Sequence, residues 1–215
     1  RDIPQGPQRT GKGGYRGFYY HFLDMQNCTR YSQWTELSSV DTALLMMGVL
    51  FAQAYYDGDD PREQEIRKLA DQLYRKVDWN WLQVREPLVS MGWFPESGFI
   101  PHDWMGYNEA MMLYVLALGS PTHPVEADAW TVWTRTYEHD WGVFQDQEYL
   151  AFGPQFGHQY SHVWIDFRDI QDDFMRGRGI DYFVNSRRAT LAQRQYAITN
   201  PMKWKDYGEN VWGLT

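Results

Sequence analysis

Between Ser38 and Tyr56 the chain is predominantly apolar, and the apolar residues do not keep to one side. Leu44, Met47, Phe51 and Ala54 recur at the helical period, while Leu45, Met46, Val49 and Leu50 fill the remaining faces. A helix that is apolar all round needs neighbours all round. Asp57-Gly58-Asp59 ends it, and the next helix announces its start: Asp60 as N-cap, Pro61 in the first position, Glu63 three residues after the cap. In that second helix Ile66, Leu69, Leu73 and Val77 form a single stripe, with Arg62, Glu65, Lys68 and Arg75 turned to water. A buried helix followed by an amphipathic one predicts an inner and an outer helical layer.

The rest of the chain continues this alternation. Arg1 to Gly17 reads as an irregular lead-in rich in Gly, Pro and Arg. Phe18 to Leu23 reads as a short strand, Asp24 to Thr29 as its turn, and Tyr31, Gln33 and Thr35 as the return. Asp78 to Leu88 reads as a short irregular helix, and Met91 to Asp103 as a hairpin turning at Pro95 to Gly98. A buried helix is expected from Tyr107 to Leu118, an amphipathic one from Val125 to Glu138, a loop-rich stretch from Gly142 to Gly157, and a helix from Tyr160 to Arg176. The last runs from its cap at Asp181 to Thr199, before Pro201. The expected fold class is therefore all-α, with helical hairpins arranged in a ring as in an (α/α) toroid. Residues 18–215 would form about half of such a ring, so the chain is expected to be a piece of a longer protein.

Composition narrows the function. The chain holds 11 Trp, 15 Tyr and 11 Phe, many beside Gly, Asp, Glu, Asn or His. Trp and Tyr offer a flat apolar face with a polar tip, which suits sugar rings and equally suits a Trp-rich helical core. A net charge of -8 argues against nucleic acid, whose phosphates need a basic face. No apolar run is long enough to span a bilayer; the run from Ala43 to Ala52 is broken by Gly48. The single cysteine, Cys28, cannot form a disulfide within the chain, and this leaves the compartment open.

Six segments in order resemble one family. They are Glu36-Leu-Ser-Ser-Val-Asp41-Thr-Ala-Leu-Leu, Gly106-Tyr-Asn-Glu109-Ala-Met-Met, Leu118-Gly-Ser-Pro-Thr-His-Pro124, Phe156-Gly-His-Gln-Tyr-Ser-His-Val-Trp-Ile-Asp166-Phe-Arg168, Asn185-Ser-Arg-Arg-Ala-Thr-Leu-Ala-Gln-Arg194 and Tyr207-Gly-Glu-Asn-Val-Trp-Gly-Leu-Thr215. Together they resemble the bacterial glucoamylase-like domain, a group that includes endo-β-1,2-glucanases with an (α/α)6 barrel and a domain of cyclic β-1,2-glucan synthases. The resemblance implies a β-glucan oligosaccharide or polysaccharide as partner, no cofactor or metal, and a periplasmic or secreted location. It also implies further helices on both sides of this chain.

Glycoside hydrolysis uses two carboxyl groups across the scissile bond, one acid and one base or nucleophile. Glu109 fits the acid best, at the start of an apolar helix after Gly106-Tyr107-Asn108 and close in sequence to Trp104. An apolar setting raises a carboxyl pKa and a helix N-terminus lowers it, so the balance is open, as is a plain first-turn role at the helix dipole. Glu36 and Asp41 flank the start of the first buried helix. They are candidates for capping, for a subsite or catalytic role, or, for Asp41, for a buried ion pair with Arg187 or Arg188. Glu209, in a loop between aromatics, is the third catalytic candidate, with capping of a helix near Asn210 as its alternative.

The remaining substrate-binding candidates are Trp93, Trp104, Tyr107, His158, Tyr160, His162, Asp166, Arg187 and Trp212, with Trp34 and Trp164 as further sugar platforms. Trp93, in a hairpin, is expected to be the most exposed. His158 and His162 have a spacing that suits zinc on one helix face, but Gln159 stands where a metalloprotease would carry Glu, so sugar hydrogen bonding is preferred. Asp166 and Arg168 read as an ion pair. The first reading is a β-glucan hydrolase with Glu109 as acid and Asp41 or Glu209 as base or positioning group. A non-catalytic glucan-binding domain and a transglycosylase domain of a glucan synthase remain its rivals.

Overall fold

The computed structural model describes residues 3–213, which divide into two compact units. The first comprises Arg1–Trp104 and Met112–Val132, the second Met105–Met111 and Trp133–Thr215.

In the first unit the short strands join into one antiparallel sheet. Its strands are β1 (Gly14–Tyr15), β2 (Phe18–Tyr20), β3 (Leu37–Ser38), β4 (Gly92–Phe94) and β5 (Gly98–Phe99), paired in that order. Tyr19 lies opposite Ser38, Ser38 opposite Gly92 and Trp93 opposite Phe99. The hairpin expected between Met91 and Asp103 is thus present. The return strand is not at Tyr31 to Thr35 but at Leu37–Ser38, because Arg30 draws the intervening segment into its own hydrogen bonds. The lead-in is tied to the sheet: Gln5 bridges to Gly14, and its side chain donates to the Phe18 carbonyl.

Ser38 also caps the first helix, α1 (Ser39–Tyr55), by accepting from the Asp41 backbone N–H. The second, α2 (Pro61–Arg75), starts as its sequence predicts, with Asp60 accepting from the Arg62 N–H. The short connection makes them antiparallel neighbours, and Gln53 donates across to the Arg67 carbonyl at 3.2 Å. The expectation that α1 is buried all round needs correction. It buries Ser39, Thr42, Ala43, Met46 and Met47, but Leu45, Phe51 and Tyr55 are exposed. Trp79 to Leu82 forms one 3-10 turn whose Trp79 and Leu82 are fully buried. Trp81 packs edge-on to Tyr15, and Trp79 to Phe18.

Helix α3 (Met111–Leu118) is buried along most of its length, as expected, but begins four residues later than its pattern predicts. Gly106 has φ +76°, and the Asn108 side chain accepts from the Ala110 N–H, a local turn that competes with helix. The amphipathic segment beyond it is broken into α4 (Ala129–Trp133), a 3-10 turn and α5 (Tyr137–Asp140).

The second unit corrects the sequence reading most. Gly142 to Gly157 is not merely loop: β6 (Trp141–Phe144) and β7 (Gln147–Leu150) form a hairpin whose turn residues, Gln145 and Asp146, both have positive φ. The helix expected from Tyr160 to Arg176 is absent. Two 3-10 turns (Gln155–His158 and Ser161–Val163) and a short α6 (Asp173–Arg178) stand in its place. The final helix, α7 (Tyr182–Thr199), is capped by Asp181 as predicted. The helices expected from the sequence are accompanied by a five-stranded sheet and a hairpin. No helix among the described residues is long and apolar enough to cross a membrane.

One buried charge organises the first unit. The Arg30 side chain is 2% exposed, yet each guanidinium nitrogen has a partner. Nε donates to the Thr35 carbonyl at 2.7 Å, Nη2 to the Gln33 carbonyl at 2.6 Å, and Nη1 to both Glu96 oxygens at 2.8 and 3.0 Å. The Arg30 side chain holds the Glu96 carboxyl below its usual pKa. Replacing Arg30 by Ala strands three acceptors and is expected to cost about 3 kcal/mol, read as a lowered urea midpoint. Asp181→Ala removes only a cap and is expected to cost about 1 kcal/mol.

Candidate active site

The first unit carries a carboxylate station at the start of α1. Asp41 accepts a 2.5 Å hydrogen bond from the Ser38 hydroxyl while Ser38 receives the Asp41 N–H, so cap and carboxylate lock each other. His21 stands between two acids, with Nδ1 2.7 Å from Glu36 Oε1 and Nε2 3.6 Å from Asp41 Oδ2. Its ring stacks on Phe22 at 4.1 Å. The partners of Asp41 are therefore Ser38 and His21, and its side chain is 36% exposed rather than buried. His21, Glu36 and Asp41 offer ligand atoms within 4.8 Å of one another, a geometry that a cation could occupy. Sequence reasoning missed His21, whose only signal was its place in the apolar strand Phe18 to Leu23.

The aromatic candidates of this unit differ widely. Trp93 is half-buried against Tyr15 and Trp81, and Trp104 donates its indole N–H to the Ser39 hydroxyl at 2.9 Å. Trp34, not Trp93, is the open one, at 80% exposed.

In the second unit Glu109 sits in the turn before α3 rather than within the helix. Its Oε2 is shut off from solvent. Gly106 is required just upstream: a Cβ there would meet the Thr136 hydroxyl at 2.6 Å, and its φ is positive. A cleft of about 360 Å3 opens beside the turn, lined by Met105 to Asn108, Asp140 and Ala151 to Gly153. Tyr107 is buried, stacked on Tyr182 and tilted against His158, and burial pushes its hydroxyl pKa up.

A second cavity, of about 290 Å3, adjoins the cleft; Phe152 and Gly153 line both. Its other walls come from the hairpin (Phe144, Tyr149), from α7 (Ala189, Gln193, Tyr196, Ala197) and from the last segment (Tyr207, Trp212), with Gln155 and His158. The polar inner face of α7 positions this wall. Asn185 grips the Leu150 backbone at both N–H and carbonyl, Ser186 donates to the His158 carbonyl at 2.6 Å, and Thr190 receives Gln155 Nε2 at 2.7 Å.

The other predicted residues lie around this core. Trp212 lines the cavity; Tyr160 is partly exposed and tilted on Phe156. Asp166 is exposed and held bidentately by Arg168, which depresses its pKa to about 2. Arg187 is exposed, and Arg188 donates to the Glu148 carbonyl. Glu209 is exposed, 3.3 Å from Arg194, in a bridge between Gly208 and Val211 rather than at a helix start. The cavity's phenylalanines and tyrosines were not singled out by sequence. The signal available was Ala189, Gln193 and Ala197 at four-residue spacing on one helix face.

His158 and His162 sit on separate 3-10 turns, so their expected common helix face does not form. His158 Nε2 lies 3.1 Å from the Phe152 carbonyl, which can only accept, so Nε2 carries the proton and Nδ1 a lone pair. Burial lowers both histidine pKa values to about 4. Between about pH 6.5 and 4 the unfolded chain therefore binds protons that the folded one refuses, and stability falls as pH falls through this window. From His158 alone the loss at pH 5 is expected to be about 2 kcal/mol. Urea midpoints measured from pH 7 to 4.5 should drop, and His158→Gln should flatten the slope.

The family model described as "Putative glucoamylase" (glycoamylase) matches residues 101–215, more than half of the chain. A curated relative from Parabacteroides distasonis, the "Exo beta-1,2-glucooligosaccharide sophorohydrolase (non-reducing end)", is 28% identical over 202 residues, covering 82% of this chain and 27% of its own length. The crystal structure of a "putative glucoamylase" from Bacteroides caccae superposes with a TM-score of 0.83 at 30% identity, over 93% of this chain and 51% of that one. The endo-β-1,2-glucanase from Chitinophaga pinensis, solved with sophorotriose and glucose, gives 0.83 at 23% identity over 93% and 50%, and shares the fold. The chain thus spans about half or less of the length of the relatives it matches. Matched over more than half its length by the family's own model, the chain belongs to the glycoamylase family.

Proposed function

We propose that the protein carrying this chain is a glycoside hydrolase of β-linked glucan, acting on β-1,2-glucan, with Glu109 as its general acid. The observation that carries the assignment is the setting of Glu109. One carboxylate oxygen is shielded from solvent, the adjoining turn is fixed by Gly106 and Asn108, and a cleft opens beside it. A carboxyl shut off from solvent is the environment in which an acid keeps its proton until the leaving oxygen needs it. Of the other candidate carboxylates in the second unit, Glu209 is exposed and paired to Arg194, which suits a positioning role. The relatives' names support the linkage.

The name of the curated relative favours a second reading of the cleavage pattern: release of a disaccharide from the non-reducing end rather than internal cleavage. A polymeric substrate that cannot cross a membrane also favours work in the periplasm or outside the cell.

Product analysis of the full protein on linear β-1,2-glucan tests the proposal. Cleavage is expected, and Glu109→Gln should lower kcat by about 1000-fold or more with the thermal midpoint unchanged. Mixed product lengths would mark internal cleavage, and disaccharide alone would mark exo action. No cleavage of any β-glucan overturns the hydrolase reading.

A further inference from the structure

We infer that the cavity between α7, the Trp141–Leu150 hairpin and the Tyr207–Trp212 segment is a seat for a single glucosyl unit, adjoining the cleft lined by Met105 to Asn108. The inference rests on the glucan reading above. At about 290 Å3 the cavity lies at the small end of ligand pockets, room for one sugar ring and not for a chain.

Its chemistry is amphipathic in the way a pyranose demands. Phe144, Phe152 and Trp212 offer flat apolar faces to sugar C–H groups. Tyr149, Tyr196 and Tyr207 add hydroxyls that no described residue engages, so they are free to bond the sugar's rim. The Phe152 wall is built in: a Cβ on Gly157 would meet the Phe152 ring at 2.1 Å, so only glycine lets that ring settle where it borders both cavity and cleft. Behind the wall the His158 Nδ1 is a buried acceptor without a partner. An unmet buried acceptor is costly, and a ligand hydroxyl reaching it would remove that cost. A purely structural cavity would have no use for this arrangement; an apolar filler would close it.

Glucose and sophorose, the β-1,2-linked disaccharide, are the probes. Calorimetric titration is run on the full protein carrying Glu109→Gln, so that nothing is turned over. Two changes alter the cavity without touching the cleft: Tyr207→Ala removes a wall from an irregular segment, and Ala197→Phe fills the space from α7. Each should weaken sophorose binding at least tenfold. In the active background each should raise KM with kcat little changed, because the seat binds ground and transition states alike. Should Ala197→Phe fail to fold, Tyr207→Ala decides alone. Unchanged affinity and KM in a folded variant overturn the seat while leaving the hydrolase reading intact. Absence of both binding and cleavage in the unaltered protein overturns the glucan reading, and the seat with it.

Discussion

The second unit hangs on a line of hydrogen bonds that leave the buried face of α7. Asn185 is fully buried and clamps the backbone of Leu150, the last residue of the hairpin. One residue on, Ser186 fixes the His158 carbonyl, and a turn later Thr190 fixes Gln155. A helix can present such polar groups to the interior only where each finds a partner, since an unmet buried group costs about as much as a whole hydrogen bond gains. Here the partners are irregular segments with few backbone bonds of their own. The helix does for them what a sheet edge would do, and the wall of the cavity inherits its precision from α7.

The first unit solves a similar problem at Ser38. This residue pairs in the sheet with Tyr19 on one side and Gly92 on the other, then caps α1 and holds Asp41. The carboxylate is therefore positioned by the same atoms that end a strand and begin a helix, and its geometry cannot drift without cost to both. Arg30 sets the loop that delivers β3 to this point, by holding the Gln33 and Thr35 carbonyls.

Much of this was legible in the sequence wherever a terminus carries its own chemistry. Asp60-Pro61 and Asp181 mark helix starts because their side chains satisfy backbone donors that nothing else can reach. The hairpin at Trp141–Leu150 was hidden because its turn uses Gln145 and Asp146 at positive φ, where Gly or Asn would have signalled it. The segment from Tyr160 to Arg176 read as one helix, but Asp169 and Ile170 bond to Asp181 and Tyr182 at the start of α7, partners that no local pattern reveals. The exposed side of α1 was misjudged for a related reason: apolar content says what a face prefers to touch, not whether a described neighbour touches it. Among site residues, Glu109 and Asp41 stood out beside helix starts, while the cavity draws its walls from four separate stretches and only His158 and Trp212 of them were picked out.

The two carboxylate stations contrast in a way that bears on their roles. Glu109 lies in a glycine-dependent turn with one oxygen closed to water. Asp41 is more than a third exposed and receives a short hydrogen bond from Ser38, with an imidazole close by. Loss of solvent favours the neutral form of a carboxyl. The proposal of Glu109 as acid rests on this setting and not on sequence order. His158, which burial keeps neutral near pH 7, lines the cavity without a charge.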